Sequence, residues 1–292
     1  MRRLWLILFC GLFGFVTPLW SAQVGPLRQV QTIILPNVRG RIDHLGVDIQ
    51  GERLFVAALG NDTLEIINLR AGKLLRTLAG LQEPQGVLFV PGMNKIFVDS
   101  AGDGSCRVFD AASYRLLDTI RFPSDADDVR YDPSRKLVYI GYGGHGNAGL
   151  RIVSASTDKV MAKIPLPRHP EAFSISPSRI FVNIPSAGNI IAVVDRRKRI
   201  MVSRWTIRGA RENFPMALDR ADHRLFIATR QSAELLVFDS SSGREVTSLP
   251  CVGVADDAYY DPQRKFIYIS GGEGFLDVFK QDDPDHYTSA HK

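Results

Sequence analysis

A chain of 292 residues with 45% hydrophobic and 23% charged side chains can bury a core and keep a solvated surface, which excludes a disordered or fibrous protein. Its 36 basic and 31 acidic residues leave a surplus of only +5, and Arg2 and Arg3 carry two of those charges, so a nucleic-acid partner is not expected. The three cysteines show neither metal-ligand nor haem-attachment spacing.

At the N-terminus, Arg2 and Arg3 precede an uncharged apolar run from Leu4 to Val16, and Trp20-Ser21-Ala22 offers a small residue before Gln23. That order reads as an export signal over residues 1–22. The run falls short of the roughly 20 apolar residues that a membrane span needs. The mature chain, 23–292, is therefore expected to be exported, periplasmic or extracellular, with no transmembrane domain once the signal is removed. Gln29 to Leu35 reads as a strand.

From there one unit recurs. Leu54-Phe55-Val56, Ile96-Phe97-Val98, Val138-Tyr139-Ile140, Ile180-Phe181-Val182, Leu225-Phe226-Ile227 and Ile267-Tyr268-Ile269 form a column whose aromatics are separated by 42, 42, 42, 45 and 42 residues. Each unit has a short strand before the aromatic one, then a glycine-rich turn. A third strand ends at an aspartate (Asp110, Asp195, Asp239), and a fourth strand follows. Period-two strands punctuated by Gly, Asp and Pro exclude a helical reading. Four strands per unit of about 40–45 residues is the pattern of a propeller blade, and blades that bury their faces on one another make one domain. The expectation is an all-β β-propeller with repeats starting near 43, 85, 127, 169, 213 and 256. Cys106 and Cys251 then lie three blades apart, beyond the roughly 4.4–6.8 Å between Cα atoms that a disulfide bridges, and are expected as buried thiols. Arg196-Arg197-Lys198-Arg199 reads as a solvated turn, and His145, among glycines at 143–147, as a surface loop.

The repeats, together with Gly40-Arg41-Ile42-Asp43-His44-Leu45, Glu83-Pro84-Gln85-Gly86-Val87, Asn213-Phe214-Pro215-Met216-Ala217-Leu218 and Gly271-Gly272-Glu273-Gly274-Phe275, resemble the YVTN-type β-propeller repeat family, often called YncE-like. The resemblance covers residues 27 to 292 and implies a propeller, usually seven-bladed. Six repeats are present. Either the ring closes with six blades, or the last blade is missing and the ring is open; the second is expected, with Gln29 to Leu35 as the outer strand completing the final blade.

Twelve and eleven residues before each column aromatic, the innermost strands start around one mouth of the channel. Those positions hold Asp43-His44, Gln85-Gly86, Asp127-Asp128, His169-Pro170 followed by Glu171, Phe214-Pro215 preceded by Asn213, and Asp256-Asp257. One reading makes these acids and amides fasteners between blades. The other converges them on a divalent cation or small polar ligand: oxygen-rich sets suit calcium, and His44 and His169 admit zinc. Arg41 and Arg211 are candidates to neutralise clustered carboxylates. A non-catalytic binding or scaffold protein of the cell envelope is the leading expectation, its partner an unidentified protein or small polar ligand. The alternatives are a lactonase-like metal hydrolase holding its ion with Glu171, Asn213 and aspartates drawn from Asp127, Asp128, Asp256 and Asp257, with Asp128 and Asp257 as the first choice, and, with less support, a DNA-binding propeller.

Overall fold

Aspartates that end strands fold this chain back on itself. Asp110 Oδ1 accepts the amides of Ala112 and Ser113, Asp195 those of Arg197 and Lys198, and Asp239 those of Ser241 and Ser242. Four residues after each of these aspartates the backbone turns left-handed, at Tyr114, Arg199 and Gly243. Side-chain oxygens that capture nearby amides favour turns over continued strand, so the same local chemistry closes hairpin after hairpin.

The computed structural model describes residues 27–144 and 146–291; the segment read as an export signal and His145 lie outside the described residues. Six four-stranded antiparallel sheets follow one another in a ring. Blade 1 comprises β1 (Leu45–Asp48), β2 (Arg53–Ala58), β3 (Thr63–Asn68) and β4 (Lys73–Ala79). Blade 2 comprises β5 (Pro84–Val90), β6 (Lys95–Ser100), β7 (Ser105–Asp110) and β8 (Leu116–Arg121). Blade 3 has β9 (Ala126–Asp132), β10 (Leu137–Gly144), β11 (Asn147–Ser154) and β12 (Val160–Leu166). Blade 4 has β13 (Phe173–Ile175), β14 (Arg179–Ile184), β15 (Ile190–Asp195) and β16 (Ile200–Thr206). Blade 5 has β17 (Arg211–Asp219), β18 (Arg224–Gln231), β19 (Ala233–Asp239) and β20 (Glu245–Pro250), and blade 6 has β21 (Ala255–Asp261), β22 (Phe266–Gly271), β23 (Phe275–Gln281) and β24 (Tyr287–His291). The protein is an all-β, six-bladed propeller. No helix among the described residues is long and apolar enough to cross a membrane.

The core is divided among the joints between blades. Five joints hold a buried apolar cluster, from Phe55, Ile66 and Val98 between blades 1 and 2 to Phe226, Ile267 and Phe279 between blades 5 and 6. Basic residues that open the second strands reach the turns of the following blade. Lys95 meets Asp158 at 2.7 Å, Arg179 donates to the carbonyl of Ser241, and Arg224 pairs with Asp285 at 2.7 Å. Arg53 likewise donates to the carbonyl of Ala111.

The joint between blades 6 and 1 is different. The residue paired with the one that follows each column aromatic is Leu45, Val87, Val129, Phe173, Met216 or Ala258. Val87, Val129, Phe173 and Met216 are 0–7% exposed, whereas Leu45 is 52% exposed. Across the gap Tyr259 is 65% exposed, and Tyr268, the last column aromatic, is only half-buried. Phe266 replaces the basic residue that opens β2, β6, β14 and β18. No buried apolar cluster spans this joint among the described residues.

Three expectations are corrected. Six complete four-stranded blades make the ring, in place of the open ring with a missing last blade. Gln29 to Leu35 forms no strand: β24 pairs with β23 and supplies the outer strand of blade 6 from the C-terminal end. The N-terminal segment instead lies on blade 1, where Asn61 accepts the Arg39 amide and donates to the Asn37 carbonyl, at 2.8 Å each. The basic run is not wholly solvated either. Arg197, Lys198 and Arg199 are exposed, but Arg196 is buried, pairs with Asp132 of blade 3 and donates to the carbonyl of Ser176. A buried guanidinium needs a partner, and Asp132 provides it. Cys106 and Cys251 are both buried, in blades 2 and 5, with no disulfide between them.

Candidate functional site

Innermost strands begin at the mouth, and four of them bulge there. The ladder register shifts between Pro84 and Val87 on β5, between Ala126 and Val129 on β9, between Asn213 and Met216 on β17 and between Ala255 and Asp257 on β21. A bulge frees residues from pairing and re-aims their side chains. In blade 1 the inner strand is prolonged by the Asp43 amide on the Ala57 carbonyl and the Ala57 amide on the His44 carbonyl.

The result is a cavity of ≈ 230 Å³ to which every blade contributes. It is lined by Arg41, Asp43 and His44 of blade 1, Gln85 of blade 2, Asp125, Asp127 and Arg130 of blade 3, His169, Glu171 and Ala172 leading into blade 4, Phe214, Pro215 and Arg230 of blade 5, and Asp256 and Asp257 of blade 6. Three residues from the sequence ring face elsewhere. Asp128 is buried, paired with Arg130, and accepts the Phe173 amide at 3.2 Å. Asn213 is buried and donates to Asn183 Oδ1 and the Ile190 carbonyl. Arg211 lies exposed on β17. These first two tie blade to blade, as the fastener reading holds. Asp128, Glu171, Asn213 and Asp257 thus do not converge as one set.

Asp127 stands at the centre of what does converge. Its Oδ1 lies 3.8 Å from His44 Nε2 and its Oδ2 3.6 Å from His169 Nε2. The far nitrogen of each ring is engaged: His44 Nδ1 lies 3.7 Å from Asp257 Oδ2, and His169 Nδ1 donates to the Gly143 carbonyl at 3.0 Å, with Asp125 at 3.8 Å. Asp43, His44 and Asp127 offer ligand atoms within 4.8 Å of one another, and so do Asp127, His169 and Glu171.

Positive charge borders this group. Arg41 pairs with Asp43 at 2.6 Å; Arg230 pairs with Asp256 at 2.6 Å and stacks its guanidinium 3.7 Å from the Phe214 ring centre. Even so, acids outnumber bases, and the titrating groups register it. Burial, reinforced by the charge of Asp127, pushes the Glu171 carboxyl up to about 7, and burial likewise raises Asp43 and Asp125. Burial by itself lowers the histidines, but the carboxylate of Asp257 beside Nδ1 and those of Asp128 and Asp127 carry His44 to about 10, and Asp127 and Asp125 carry His169 to about 9. Beneath the mouth Asp99 is fully buried beside Cys106, and burial holds its carboxyl well above the usual range.

Asp125, Arg130 and Arg230 were not singled out in the sequence. Asp125 had a signal, since it shares the alternation parity of Asp127. Arg230 had none, because it reaches the mouth from the far end of β18 rather than from the start of an inner strand. Chemically, the lining holds imidazole and carboxylate donors in one group, bordered by guanidinium groups and one aromatic ring. No protein-family model matches the chain, and no curated protein is similar to it at a meaningful level.

Proposed function

We propose that this propeller is a binding protein whose channel mouth takes up a divalent transition cation. One observation carries the reading: both oxygens of Asp127 face the Nε2 atoms of histidines whose other nitrogens are already engaged. Metal-bound histidines are habitually oriented through the opposite ring nitrogen by a carboxylate or a backbone carbonyl, which are the partners His44 and His169 have. Mixed imidazole and carboxylate donors favour zinc or manganese over calcium, which prefers six to eight oxygens. A hydrolase reading has less support, since Asp128 and Asn213 are committed to fastening blades. Export to the cell envelope, and kinship with the YVTN-type repeat proteins, complete the proposal and rest on the N-terminal pattern and the repeat motifs.

Calorimetric titration of chelator-stripped protein with zinc tests it. Binding by the wild type that is lost in Asp127→Asn is the expected result; no binding by folded wild-type protein overturns the reading.

A further inference from the structure

We propose that the mouth is a centre for two cations bridged by Asp127. This rests on the cation-binding reading above and goes beyond it in number and arrangement. A single ion, bound by one carboxylate oxygen or by both, would gather its companion ligands at one point. Here the two oxygens of Asp127 face two different histidines, each within its own group of ligand atoms. Oδ1 faces His44, with Asp43 beside it; Oδ2 faces His169, with Glu171 beside it. The sets come from different parts of the ring: the approach to β1 supplies the first and the link between β12 and β13 the second, while the bulge at the start of β9 holds Asp127 between them.

Each set has its own orienting partner as well. Asp257 of blade 6 holds the outer nitrogen of His44, and the Gly143 carbonyl of blade 3 holds that of His169. Carboxylate charge suffices for two ions. Arg41 and Arg230 engage Asp43 and Asp256, and Asp125, Asp127, Glu171 and Asp257 remain around the cavity without an arginine or lysine ion pair among the described residues. A carboxylate shared through separate oxygens is a natural bridge for paired ions, which in two-metal sites stand about 3.5–4 Å apart.

The test uses the full chain, stripped with a chelator, reloaded with Mn(II) and freed of excess ion. Two manganese per chain with a spin-coupled electron paramagnetic resonance signal is the expected result. His44→Ala and His169→Ala, checked for folding by circular dichroism, are each expected to fall to one manganese and an uncoupled signal. One manganese in the wild type with an uncoupled signal overturns the two-cation centre while leaving the cation-binding reading standing; none overturns both. Retention of the coupled pair in both histidine variants also overturns it.

Discussion

The Cα of Gly86 lies against the backbone of Asp127 so closely that a Cβ on Gly86 would sit 2.0 Å from the Asp127 carbonyl oxygen. Blade 2 thereby sets the position of the central carboxylate of blade 3. No side chain fits there without moving one of the two inner strands.

Gly86→Ala is accordingly expected to destabilise by about 1–3 kcal/mol, the usual cost of forcing extra atoms into a packed site. It is also expected to weaken zinc binding, because the strand that yields carries Asp127. Urea unfolding and zinc titration check this, and unchanged values in both would show that the contact is slack in solution.

Arg196 and Asp132 give a second expectation. Both are buried and come from adjacent blades, with the Tyr139 hydroxyl 3.3 Å from Arg196 Nε. Asp132→Ala leaves a buried guanidinium unpaired and is expected to cost about 3–5 kcal/mol. Replacing both partners with apolar residues, Asp132→Leu with Arg196→Met, is expected to recover most of that loss. Equal losses in the single and double variants would assign the cost to the turn at Asp132 rather than to the ion pair.

How much of this can be read from sequence depends on which physical rule decides each feature. The 42-residue spacing of Phe55, Phe97, Tyr139 and Phe181 gives the blades directly, because each aromatic has the same job in its own joint, one joint after the next. The start of each inner strand gives the mouth. Neighbouring residues on a strand face opposite ways, so an Asp-Asp pair cannot say which member faces the channel. In blade 3 it is Asp127, and Asp128 turns to Arg130; in blade 6 both Asp256 and Asp257 line the cavity. Arg230 depends on tertiary packing against Phe214, which no local pattern announces. The strand expected at Gln29 to Leu35 failed because apolar alternation does not reveal whether an edge is already filled, and β24 fills it.

Equivalent substitutions in different joints should have unequal costs. Phe173→Ala removes a fully buried ring and is expected to cost about 3–5 kcal/mol. Leu45 occupies the same column but is half-exposed toward blade 6, so Leu45→Ala is expected to cost less than about 1.5 kcal/mol, well under the buried-side-chain range. Comparable losses in urea unfolding would mean that the joint between blades 6 and 1 packs as tightly as the others.

Without metal, the fold should weaken as the solution becomes alkaline. His44 and His169 have folded values of about 10 and 9, above the unfolded value near 6.5. Their contribution is whole below pH ~6.5 and is lost as pH rises through those folded values. Glu171, raised to about 7, has the same sign but a lower window. Its neutral form is favoured in the fold, and that contribution is already lost as pH rises to about 7, so the alkaline fall belongs to the histidines. The melting temperature of chelator-treated protein is therefore expected to fall between about pH 7 and 10, with a shallower fall in His44→Gln. A flat or rising profile would contradict the charge balance at the mouth.

The most direct test of cation binding is the melting temperature of purified protein in zinc at neutral pH, before and after chelator, with Asp127→Asn measured in parallel. A ligand that binds only the folded state raises stability by about 2.7 kcal/mol at a hundredfold excess over its dissociation constant. The predicted result is a higher melting temperature with zinc that chelator abolishes, and no such shift in the variant. Identical melting with and without zinc in the wild type would contradict cation binding and leave the acids and histidines of the mouth as fasteners between blades.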